Sequence, residues 1–86
     1  MRIKKGFKIE NLSGNSTVGS DDPEFNSTIV LSDTALFLWK MLEEKDTSKA
    51  EMLNGLLDNF EISTVLALND IDVFLRTMKK YGIIEE

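Results

Sequence analysis

Apolar and polar residues alternate through Phe7, Lys8, Ile9 and Glu10, and Leu12 continues the apolar set less regularly. A period of two is that of a strand with one buried face. Ser13–Gly14–Asn15 supplies turn chemistry, since Gly and Asn tolerate positive φ. A short, polar second strand over Ser16–Gly19 follows, with Val18 as its one strong apolar residue, and Ser20–Glu24 reads as a loop. Ser27–Leu31 is β-branched and apolar, a better strand than the second. From Ser32 onward the period turns helical. Ser32 is an N-cap with Asp33 in the first turn, and Ala35, Leu36, Trp39 and Leu42 share a face of a helix ending near Lys45. Ser48 and Glu51 have the capping-box spacing for a second helix with Met52, Leu53, Leu56, Leu57 and Phe60 as its apolar set. Ser63 or Thr64 caps a third helix that runs to about Tyr81 and is stopped by Gly82, after which Ile83–Ile84 folds back on it. The pattern therefore predicts one α+β domain over residues 1–86, three strands followed by three helices.

Two stretches carry more than packing. On a wheel of about 100° per residue, Leu68, Ile71, Phe74, Leu75 and Met78 form the core arc of the third helix. Leu66 and Val73 fall outside that arc on one line, and Asn69, Asp70, Arg76, Thr77 and Lys80 share their side. An apolar centre with a polar rim is the make-up of an interface, although such residues also cover a second part of a core or stand singly exposed. The other stretch is the third strand. Ser27–Leu31 holds neither Pro nor Lys, so it is either central in its sheet or an edge left open for a partner strand.

Composition removes several function classes. The chain has no cysteine and no histidine, so thiolate metal sites, disulfides and the commonest general base are all absent. That argues against catalysis, and no cofactor is expected. Asp70, Asp72, Glu85 and Glu86 lack the spacing of a calcium loop and read as solvated charge. A net charge of −5 argues against nucleic acid as the main partner, even with basic residues gathered at Arg2, Lys4, Lys5 and Lys8 and at Arg76, Lys79 and Lys80. The basic N-terminus leads into no apolar run of signal-peptide length and no stretch is long enough to span a membrane, so the expectation is a soluble cytoplasmic protein.

Several residues taken in order resemble the PqqD-like family. Gly6–Phe7 opens the first strand and Phe25–Asn26 precedes the third. Ile29–Val30–Leu31–Ser32–Asp33–Thr34–Ala35 then runs into Leu38–Trp39–Lys40–Met41–Leu42. At the end, Asp70–Ile71, Phe74–Leu75, Met78 and Gly82–Ile83–Ile84 keep the family's spacing. The resemblance covers essentially the whole chain and implies a winged helix-turn-helix. Members bind the leader of a ribosomally made precursor peptide and present it to a modifying enzyme, often a radical S-adenosylmethionine protein. The resemblance implies a leader strand beside the third strand, with backbone contacts at Thr28, Ile29, Val30 and Leu31. It implies side-chain contacts at Leu66, Asn69, Val73, Arg76 and Lys80; from their charge, Arg76 and Lys80 are expected to attract acidic leader residues. Ser16–Gly19 departs from the family's valine-rich second strand, so its pairing is expected to fray. A strand-swapped dimer is one repair, and both monomer and swapped dimer stay open. The alternatives are an interaction or dimerisation module without a peptide ligand and a winged-helix DNA binder with its third helix in the major groove.

Overall fold

The computed structural model describes residues Met1 to Glu86. Two antiparallel sheets and three helices share one core. Strands β2 (Phe7–Leu12), β3 (Asn15–Ser20) and β4 (Val30–Leu31) form a three-stranded sheet in that order, while β1 (Arg2–Ile3) pairs with β5 (Ile84–Glu85). The β2–β3 hairpin closes from Leu12 to Asn15 through Ser13 and Gly14, at φ 54° and 83°. Two successive positive φ values are those of the tight turn whose twist matches the flanking strands, and Gly14 takes its value without a Cβ penalty.

The second strand does not fray. Six residue pairs join β3 to β2, from Phe7↔Ser20 to Leu12↔Asn15, and β4 pairs on the other side through Ser16↔Leu31 and Thr17↔Val30. A polar sequence suffices because the strand is central: Thr17, Val18 and Gly19 are buried by neighbours on both sides. Gly19 also lets Glu10 lie across the backbone, since a Cβ there would overlap the Glu10 carboxylate. The third strand is shorter than its sequence suggests. Regular pairing holds only Val30–Leu31, extended by the Val18 N–H donating to the Ile29 carbonyl at 3.1 Å.

Helix α1 (Asp33–Glu44) starts at Ser32, whose hydroxyl accepts from the Ala35 N–H, and α2 (Lys49–Asn59) starts at Ser48 with both halves of the capping box formed. Replacing Ser48 by Ala is expected to lower stability by about 1 kcal/mol in urea denaturation, the usual contribution of such a cap. Helix α3 (Thr64–Lys80) is capped by the Ser63 hydroxyl. At its far end Gly82, at φ 67°, lets its own N–H reach the Lys79 carbonyl and the Ile83 N–H reach the Met78 carbonyl. This return turns Ile83 and Ile84 into the core and delivers β5 to β1, a pairing that two-residue strands do not announce in sequence.

The core joins Leu38, Trp39 and Leu42 of α1, Met52 and Leu56 of α2, one side of α3, and Val18, Ile29 and Leu31 of the sheet. On α3 the buried set is Ala67, Ile71, Phe74, Leu75 and Met78; Leu68 is 37% exposed and does not belong to it. Ala67 sits nearer the centre of the core arc, and Leu68 lies about 20° beyond its edge at Leu75.

Candidate functional site

Strand β4 is an edge. In the antiparallel ladder the Ile29 carbonyl points at β3, so Ile29 and Leu31 share the inward phase of the main chain. The intervening Val30 turns its N–H and C=O to the open side, and Thr28 falls in the same phase. Side chains alternate on the perpendicular axis: Ile29 and Leu31 are buried, and Val30 is 58% exposed. No Pro or Lys shields this edge, whereas the opposite edge, β2, carries Lys8.

Beside the open edge lies a cleft of about 350 Å³. Ile29, Val30 and Leu31 form one wall, and Ser32, Thr34 and Ala35 at the start of α1 form one end. The opposite wall is the flank of α3 that carries Asn69, Asp70, Val73, Phe74, Thr77 and Met78. It exists because α3 presents a mixed stripe next to its core face: Phe74 and Met78 reach inward, while Val73 is 48% exposed at the rim. Within the cleft the Thr34 hydroxyl donates to Asp70 Oδ2 at 3.0 Å, and Thr34 Oγ1 lies 3.3 Å from Ser32 Oγ.

Of the residues singled out from sequence, Ile29, Val30, Leu31, Asn69 and Val73 meet in this cleft. Thr28 is exposed in the segment before β4 and lies outside the lining. Leu66, 57% exposed, lies outside it too, nearly two turns before Val73 on the outer face. Arg76 lies about 60° round the helix from Val73, on the flank away from the sheet. There it shares a second depression with Lys49, Asp72 and Lys79. The Lys49 ammonium, 2.7 Å from Asp72 Oδ1, holds the Asp72 carboxyl below its ordinary value on that far side. Lys80 does not line the cleft either, and its ammonium stands 5.5 Å from the Tyr81 ring centroid. Neither cation lines the cleft: Arg76 lies round the helix from it, and Lys80, at nearly the same angle as Val73, lies about two turns further along α3. The residues missed were Ser32, Thr34 and Ala35 at the start of α1 and the inner flank of Asp70, Thr77, Phe74 and Met78. Asp70 and Thr77 stood on the outer side of the wheel, but their position between Val73 and the core arc was the available signal.

Fold and site together define a winged helix-turn-helix domain with an open strand edge beside an apolar cleft. The sequence profile of the family described as coenzyme PQQ synthesis protein D (PqqD) matches residues 21–84, and the chain belongs to that family. Among solved structures, that of TbiB1 in complex with the TbiA(beta) leader peptide is similar in fold. Its TM-score is 0.75 at 15% identity, covering 99% of this chain and 95% of that one. A comparison with curated proteins finds no match. No helix is long and apolar enough to cross a membrane.

Proposed function

We propose that this domain is a non-catalytic peptide chaperone. It captures the leader of a precursor peptide as an added strand on β4 and presents it to a modifying enzyme. The observation that carries the reading is the open edge of β4 lying directly against the cleft, so that one extended segment can use both. Family membership supports it, and the similar fold of a domain bound to a leader peptide supports it further.

The energetics agree with capture at moderate affinity. Thr28 and Val30 offer up to four outward main-chain groups, and four such bonds contribute roughly 2–6 kcal/mol net. Ordering a flexible leader offsets part of this. Because a micromolar complex needs about 8 kcal/mol, apolar leader side chains must enter the cleft against Ile29, Leu31, Val73 and Phe74. Duplex binding is disfavoured by the net charge of −5.

The test is an amide-resolved NMR titration of the labelled protein with the leader of a precursor encoded beside its gene. Shifts confined to Thr28–Ala35 and to Asn69–Met78 are the expected result. An unchanged spectrum at millimolar peptide would overturn the peptide reading and favour an interaction module of another kind.

A further inference from the structure

The cleft has one charged residue in its lining, Asp70. None of the five ion pairs in the chain uses it. Its Oδ2 takes the Thr34 hydroxyl proton, and no hydrogen bond reaches Oδ1. A hydroxyl has a single proton to donate. With the Thr34 proton spent on Asp70, the 3.3 Å contact between Ser32 and Thr34 requires Ser32 to donate, while Ser32 Oγ still accepts from the Ala35 N–H. The relay Ser32 to Thr34 to Asp70 fixes the aspartate rotamer from the first turn of α1. It leaves the second carboxylate oxygen free beside an apolar wall. The cations Arg76 and Lys80, on the same helix as Asp70, do not line the cleft.

Resting on the peptide-binding reading, we propose that Asp70 forms a subsite for a cationic leader side chain, a Lys ammonium or an Arg guanidinium, so that the cleft selects a basic residue in the captured strand. The half-buried carboxylate is pre-oriented, so the partner pays no rotamer cost on the protein side, and a charge-assisted hydrogen bond to the free Oδ1 is available. An acidic leader residue in the same place would meet a like charge in a partly desolvated site and be rejected.

A structural role competes with this, since a carboxylate near the first turn of α1 also favours that helix through its dipole. Asp70→Asn keeps the Thr34 hydrogen bond and removes the charge from both roles, so a thermal melt reads the structural role and coupling to a single leader residue reads the subsite. The experiment measures Kd by fluorescence anisotropy for the wild-type protein and Asp70→Asn. The peptides are the leader of the neighbouring precursor and versions with each Lys or Arg changed in turn to norleucine. The expected result is a loss of about five- to twentyfold for Asp70→Asn, shrinking as salt rises. The same loss appears for one norleucine peptide on the wild-type protein, with no further loss when the two changes are combined. A folded Asp70→Asn protein that binds the leader as tightly as wild type, or additive losses in every combination, overturns the subsite alone. Failure of the wild-type protein to bind the leader at all overturns the recognition reading and the subsite with it.

Discussion

Changing Val30 to Pro is expected to leave the domain folded and to weaken leader binding by about 30- to 100-fold. The separation follows from where the Val30 main chain points. Ile29 and Leu31 hold β4 to β3, so the Val30 N–H contributes nothing to the sheet, and its side chain is largely exposed. Pro is tolerated on an edge where the missing N–H would face outward, and it favours an extended residue before it, which Ile29 already is. A stability cost of at most about 1 kcal/mol is expected. An added strand, however, needs that N–H as a donor. The ring carbons of Pro also occupy the place where the incoming carbonyl would lie, so a lost bond and a steric clash together cost about 2–3 kcal/mol. Val30→Thr keeps the donor and should bind nearly as wild type. Anisotropy titrations beside thermal melts of the three proteins decide the matter. Wild-type affinity in a folded Val30→Pro protein would exclude strand addition at β4 and shift the site to the helical wall of the cleft alone.

The parts of this molecule that were legible in its sequence are those set by local periodicity and by caps. Ser32, Ser48 and Ser63 each start a helix where hydroxyl capping predicts, and Gly82 ends the last one because a left-handed residue is needed there. Properties that depend on neighbours in space were not legible. The polar run Ser16–Gly19 looks weak alone and is firm in the fold because strands flank it on both sides. The β1–β5 pair joins the two ends of the chain, and two residues carry no period. At the site, helical position alone could group Leu66, Val73, Arg76 and Lys80 on one side of α3. Only the docking of α3 against β4 and α1 decides which flank becomes the wall of the cleft. Asp70 illustrates the gap: two residues before Asp72 it reads as solvated charge, yet Asp72 pairs with Lys49 on one flank while Asp70 faces the cleft on the other.

Trp39→Ala is expected to produce the largest loss of stability, about 3–5 kcal/mol, as for other buried aromatic truncations. Trp39 is completely buried on α1, the helix whose first turn supplies Ser32, Thr34 and Ala35 to the cleft. For a chain of this length total stability is roughly 4–13 kcal/mol, so the loss removes from about a quarter of it to all of it. Trp39→Phe distinguishes volume from chemistry. The Trp39 Nε1–H is buried without a hydrogen-bond partner, and such a group costs about 1–3 kcal/mol. Phe removes that penalty while opening a smaller cavity, so its net loss should stay below about 2 kcal/mol. Because Trp39 is the one tryptophan, urea denaturation must be followed by far-UV circular dichroism. Equal losses for Phe and Ala would mean that the indole N–H stabilises the fold rather than costing it. Binding supplies a second readout: a ligand that takes only the folded state loses apparent affinity in proportion to the folded fraction. Leader affinity should therefore fall in Trp39→Ala only as far as its unfolding dictates, and remain near wild type in Trp39→Phe. A greater fall in Trp39→Phe would mean that the packing of α1 also sets the geometry of the cleft.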